Sequence, residues 1–178
     1  IKGVGVNPAR TGLLDVLRAM QANVTLCNER AMGGEPVADL IVRAAELHGT
    51  RVSGELAVRG IDELPILALA ATQAQGETMV RDAAELRVKE TDRIATTVQE
   101  LQRLGAEIAP LSDGFAVLGP TRLRGAAVHS HGDHRLAMAL AVAGLVASGE
   151  TVVQDVNCIV DSYPDFAATL AHLGGQVS

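Results

Sequence analysis

From residue 91 onward, Ile94, Thr97, Val98, Leu101 and Leu104 return at three- and four-residue steps, the spacing of a helix that buries one face. The same periodicity predicts helices near 10–21, 62–74, 91–104, 134–147 and 164–173. Two of these differ in kind. LPILALAATQA, residues 64–74, and RLAMALAVAGLVA, residues 135–147, are apolar on nearly every side. Surface helices are not built that way, so both are expected inside, walled by sheets. Short β-prone runs between glycine and proline joints predict strands near 2–6, 39–43, 51–58, 77–82, 106–109, 115–118, 125–129 and 150–155. Ser112, Asp113 and Gly114 mark a hairpin turn.

The pattern repeats. VGVNPARTGLLDVLRAMQANV, residues 4–24, aligns with VKETDRIATTVQELQRLGAEI, residues 88–108, and HLGGQV at 172–177 resembles the end of the second. DELPILALAATQAQGETMVRDA, residues 62–83, aligns with RLAMALAVAGLVASGETVVQDV, residues 135–156, sharing GET, two apolar residues, a polar residue and Asp. Each unit reads strand, helix, strands, helix, strand. The expected fold class is therefore α/β, with units near 1–83 and 84–157 and the start of a further one at 158–178.

Composition narrows the functions. Hydrophobic residues make up 48% and charged residues 20% of 178, which describes a globular chain and not a disordered one. No charge-free apolar run reaches membrane-spanning length. There is no basic leader followed by an apolar core, so the cytoplasm is the expected location. The chain opens on Ile1, inside a predicted strand, and reads as one piece of a longer polypeptide. A net charge of −6 and only three aromatic residues argue against nucleic acid and anionic membranes as partners. Cys27 and Cys158 have no metal-site or disulfide spacing and are expected to be buried.

Candidate chemistry gathers at helix starts. LRVKETDRI, residues 86–94, places Lys89, Glu90, Asp92 and Arg93 just ahead of an apolar-periodic helix. That pattern also suits a solvated helix start with Thr91 as its cap. The repeat supplies a second cluster, because Asp62 aligns with Arg135, each opening an apolar helix. Asp favours the helix dipole. Arg opposes it, and makes sense if the guanidinium and the free N–H groups of the helix together receive an anion. HSHGDH, residues 129–134, has the spacing of a zinc-hydrolase motif. Downstream of it only His172 remains as a further histidine, so no metal site is expected.

VKETDR (88–93), GDHRLAM (132–138), NPARTGL (7–13), IDELP (61–65) and SYPDF (162–166), in this order and spacing, resemble the 5-enolpyruvylshikimate-3-phosphate synthases. VKETDR with DHRLAM separates them from the UDP-N-acetylglucosamine enolpyruvyl transferases of the same fold. The resemblance implies βαβαββ units with helices inside a ring of sheets, an inside-out α/β barrel, this chain being most of the C-terminal domain. It implies transfer of the enolpyruvyl group of phosphoenolpyruvate to the 5-hydroxyl of shikimate 3-phosphate, in aromatic amino acid biosynthesis, with no metal or organic cofactor. Residue by residue, it implies that Asp62 binds shikimate 3-phosphate and acts as general base. It likewise implies that Glu90 moves a proton at the methylene carbon, that Lys89 lies beside shikimate 3-phosphate, and that Arg93 and Arg135 hold the carboxylate of phosphoenolpyruvate.

Two positions depart from some members of the family. Asp161 stands where a lysine is found in some, and Glu85 where asparagine is found. Without the N-terminal domain the isolated chain is expected to be inactive. The alternatives are a non-catalytic binding module and, behind it, a zinc hydrolase using HSHGDH.

Overall fold

The computed structural model describes residues 1–177. In chain order the elements are β1 (Val4–Gly5), α1 (Gly12–Ala19), β2 (Asn23–Met32), β3 (Glu35–Arg43), β4 (Arg51–Val52), α2 (Glu55–Arg59), α3 (Leu64–Thr72) and β5 (Gly76–Val80). They continue with α4 (Arg93–Arg103), β6 (Glu107–Leu111), β7 (Gly114–Gly119), β8 (Ala127–His129), α5 (His134–Val146), β9 (Val152–Gln154) and α6 (Phe166–His172). Short 3-10 turns at Ile61–Glu63 and Ala84–Val88 lead into α3 and toward α4.

Three sheets wall the helices: β1-β3-β2, β4-β5-β7-β6 and the parallel pair β8-β9. They stay open, so the described residues do not close a barrel by themselves. The two all-apolar helices are inside, as their sequences require. Leu64, Leu67, Ala68 and Ala71 of α3 and Leu136, Ala137, Leu140 and Ala143 of α5 are almost without solvent contact. Helix α4 packs between them and the sheets through Ile94, Val98 and Leu101, with Phe115 and Val117 of β7 completing the core. Burying each such side chain contributes about 1.5–3 kcal/mol.

The repeat is visible in the backbone. β4 pairs parallel with β5 after α3, and β8 pairs parallel with β9 after α5. The shared GET has a physical reason in both copies. Gly76 and Gly149 turn with φ of +88° and +93°, conformations that side chains other than glycine rarely adopt.

Local structure departs from expectation at four places. The run predicted as a strand over 51–58 stops at Val52, because Gly54 turns with φ +57°, and residues 55–59 form α2. The largest hairpin pairs β2 with β3, yet β2 was not predicted. Thr91 does not cap α4; Asp92 does, its side chain accepting from the Ala95 N–H at 3.0 Å. Cys27 and Cys158 are only half-buried. The hairpin turn at Ser112–Asp113 joins β6 to β7 as predicted.

Candidate active site

The starts of α3, α4 and α5 converge, and their charged residues meet there. Asp62 sits in the turn that enters α3. Arg93 is the first residue of α4, and Arg135 lies in the first turn of α5. Asp62 Oδ1 is 3.2 Å from the Arg93 Nη1 and 3.9 Å from Lys89 Nζ, while its Oδ2 is 3.4 Å from Arg135 Nη2. One carboxylate thus stands among three cations, two from the stretch that opens α4 and one from the start of α5.

Arg93 is the best-held group. Only 1% of its side chain is exposed, and it donates from Nε to Asp133 Oδ2 at 2.6 Å, from Nη2 to Asp133 Oδ1 at 3.2 Å, and from Nη2 to Glu90 Oε2 at 2.6 Å. Burial works against its charge, but the hydrogen bond and charge of Asp133, with Glu90 and Asp62 behind it, outweigh burial and raise its pKa further. Asp133 is fully buried. Burial pushes its carboxyl up, and the Arg93 hydrogen bond and charge, with N–H donors from Leu136 and Arg135, more than reverse this, so its pKa is lowered. Lys89 lies 2.6 Å from Glu85 Oε1; the hydrogen bond to Glu85 is the main reason its pKa is raised.

Each residue named from sequence, Asp62, Lys89, Glu90, Arg93 and Arg135, therefore falls in one cluster, but one detail differs from expectation. The start of α5 does not offer its free N–H groups around Arg135. Asp133 Oδ1 already accepts from the N–H groups of Arg135 and Leu136, at 2.9 and 3.4 Å. Arg93 is already engaged as well, since Asp133 accepts from its Nε and Nη2. The Asp133–Arg93 pair spans 40 residues of sequence, and nothing local in the chain signals it. Glu63, 3.4 Å from Arg135 Nη1, was equally unmarked.

HSHGDH is dispersed over separate tasks. Asp133 serves Arg93 and α5, His131 Nε2 lies 2.9 Å from Glu100 Oε1, and His129 Nδ1 accepts from the His131 N–H at 2.8 Å. Among the described residues no group of three or more His, Cys, Asp or Glu is placed to hold a metal ion. Beside Asp62 and Arg135 opens a cavity of about 210 Å³, floored by Ile66, Met138, Val142 and Phe166. A larger groove, about 1020 Å³, lies between α5 and α6, away from the charged cluster.

The EPSP synthase (3-phosphoshikimate 1-carboxyvinyltransferase) family profile matches residues 1–170. The chain is 57% identical over 164 residues to a 3-phosphoshikimate 1-carboxyvinyltransferase of Herpetosiphon aurantiacus, covering 92% of this chain and 38% of that protein. It is 55% identical over 173 residues to the protein of that name from Desulforudis audaxviator, covering 97% of this chain and 40% of that protein. The chain thus spans about 40% of the length of these curated relatives. Among solved structures, an EPSP synthase of Acinetobacter baumannii superposes on all of this chain with a TM-score of 0.94 at 37% identity, using 42% of its own length. The enolpyruvyl transferase NikO of Streptomyces tendae shares the fold, with a TM-score of 0.75 at 24% identity over all of this chain and 39% of its own. No helix among the described residues is long and apolar enough to cross a membrane. With a profile match over most of its length and a charged cluster at three converging helix starts, the chain belongs to the EPSP synthase family.

Proposed function

We propose that this chain forms one wall of an enolpyruvyl transfer site, with phosphoenolpyruvate and shikimate 3-phosphate as substrates and no metal or organic cofactor. The observation that carries the reading is the Asp62 carboxylate held within 4 Å of Lys89, Arg93 and Arg135. In this reading Asp62 accepts the 5-hydroxyl proton as that oxygen bonds to the central carbon of phosphoenolpyruvate. Glu90 delivers a proton to the methylene carbon, giving a tetrahedral intermediate, and takes one back from the resulting methyl as the carbon–phosphate oxygen bond breaks and phosphate leaves with the proton that Asp62 had accepted. Lys89 offsets charge as it develops. Arg135 and the Nη1 side of Arg93 receive the substrate carboxylate, displacing Asp62 from part of its present contacts.

The charge count bears on the missing part. Lys89, Arg93 and Arg135 stand against Asp62, Glu63, Glu85, Glu90 and Asp133. A wall with more carboxylates than cations does not hold two multiply charged anions by itself. Further basic groups, and closure over the substrates, are assigned to a second, N-terminal domain of the same enzyme, this chain being most of the C-terminal one. The cavity of about 210 Å³ is below the roughly 300–1,000 Å³ of enclosed small-molecule sites, as one side of a shared cleft would be. Asp161, where some relatives carry lysine, supplies no cation to the phosphate of phosphoenolpyruvate. A cytoplasmic location accompanies this reading.

The test is phosphate release from phosphoenolpyruvate, with and without shikimate 3-phosphate, by the full-length enzyme and by the 178-residue chain. Release only by the full-length enzyme and only with both substrates is expected. Turnover by the chain alone would overturn the division of labour, and no turnover by the folded full-length enzyme would overturn the reading itself.

A further inference from the structure

Glu100 lies on the face of α4 two turns beyond Arg93 and has no solvent exposure. A buried carboxylate is costly unless its oxygens are satisfied, and the partners of Glu100 are specific. Oε2 accepts from the backbone N–H of His129 at 3.0 Å, and Oε1 lies 2.9 Å from His131 Nε2 and accepts from Gln99 Nε2 at 3.0 Å. Among the described residues the one permanent cation beside it is Arg103, whose Nε is 3.4 Å away and whose side chain is half exposed. Two of these contacts therefore reach across to the end of β8 and the loop that joins it to α5.

That loop is tightly folded. His131 has φ +55°, a conformation uncommon outside glycine and one that surrounding contacts must sustain. Its N–H donates to His129 Nδ1, the Gly132 N–H donates to Ser130 Oγ at 3.0 Å, and the Asp133 N–H donates to Ser130 O at 3.0 Å. The next side chain is Asp133, which holds Arg93 and caps the helix carrying Arg135. Helix α4 thus grips the loop twice, at Arg93–Asp133 and at Glu100–His129/His131.

We propose that Glu100 is a positioning residue for the transfer site: it fixes the His129–Asp133 loop so that Arg93 and Arg135 both converge on Asp62. It touches neither substrate nor reacting atoms. Removing it leaves the Arg93–Asp133 pair able to form but no longer fixes where the start of α5, and with it Arg135, comes to rest. The consequence for phosphoenolpyruvate rests on the transferase reading; the consequence for the loop does not.

The experiment compares Glu100→Ala, the isosteric Glu100→Gln and the surface control Arg103→Ala. Amide hydrogen exchange on the 178-residue chain reads the loop, and steady-state kinetics on the full-length enzyme reads its effect. Glu100→Ala is expected to speed exchange at His129, Arg135 and Leu136 by about tenfold or more, with β6 and β7 unchanged. It is expected to raise KM for phosphoenolpyruvate about tenfold, the size of one lost charge-assisted hydrogen bond, with kcat and KM for shikimate 3-phosphate within about threefold of wild type. Glu100→Gln keeps an acceptor for the His129 N–H and should show the same split, smaller; it serves as the test if the alanine variant does not fold. Arg103→Ala should change neither readout. Unchanged exchange at Arg135 and Leu136, or a loss of thermal stability with wild-type KM for phosphoenolpyruvate, would overturn the proposal. If the wild-type full-length enzyme shows no turnover, the transferase reading has failed, and the exchange result alone decides the role of Glu100 in the loop.

Discussion

Replacing Arg93 by methionine removes a cation from the most buried ion pair of the molecule while keeping much of the side-chain volume. Arg93 and Asp133 have 1% and 0% side-chain exposure, so water cannot take over the lost interaction. Breaking a buried pair by deleting one partner costs about 3–5 kcal/mol, because the surviving charge is stranded. For a chain of this size, where each kcal/mol moves Tm by about 2–4 °C, the expected drop is about 6–20 °C at pH 7. The pH dependence follows from Asp133. In the wild type its folded-state pKa is lowered, so its stabilisation is present above the unfolded value of about 3.9 and is lost as pH falls through the folded one. In the variant, burial acts on Asp133 without Arg93 to reverse it, so protonation relieves the stranded charge and the deficit relative to wild type should shrink between pH 7 and 4.5. Calorimetric or circular-dichroism melts of both chains at the two pH values measure this. A loss below about 1 kcal/mol, or one that does not vary with pH, would refute the argument that Arg93 and Asp133 form a dry pair.

Arg135→Lys, at a site one-third exposed, should raise KM for phosphoenolpyruvate about 10- to 100-fold in the full-length enzyme and leave shikimate 3-phosphate little changed, since an ammonium cannot give paired hydrogen bonds to a carboxylate. Equal weakening of both substrates would mean that Arg135 does not read the carboxylate. Zinc should be absent by elemental analysis after dialysis against a weak chelator; about one retained equivalent, lost together with activity, would revive a metal role for HSHGDH. Asp39 is held at a pKa of about 2, chiefly by the Asn28 side chain, then by the Gly3 N–H and by Arg30. Its contribution is present above the ordinary carboxylate range and is lost as pH falls through about 2. The melting-temperature gap between wild type and Asp39→Asn should therefore narrow from pH 5 toward pH 2, and a constant gap would remove Asp39 from the acid sensitivity of the chain.

The features legible in the sequence are those set by local periodicity. α3 and α5 announce themselves because their apolar residues leave no polar face, and LRVKETDRI is legible as a helix start because the apolar steps of α4 begin directly after it. The β2–β3 hairpin was hidden for an equally physical reason. Most of β2 is exposed, and a bulge between Cys27 and Arg30 interrupts its register, with Asn28 at φ +52°, so no strict alternation survives. α2 is too short to show a helical period, and its Val and Leu mimic a strand. At the site, aligning the repeats brings Asp62 and Arg135 forward, but no repeat or spacing indicates that Asp133 will hold Arg93, because that contact exists only after α4 and α5 have packed. The motif resemblance named the residues, and the structure supplied their partners.

The most direct measurement is the turnover of Asp62→Ala in the full-length enzyme, with phosphoenolpyruvate and shikimate 3-phosphate saturating. If Asp62 accepts the hydroxyl proton, kcat falls by about 10²- to 10⁴-fold while circular dichroism shows the fold retained. A folded variant with near-normal kcat would contradict the account, because the carboxylate at the meeting point of Lys89, Arg93 and Arg135 would then have no part in the chemistry.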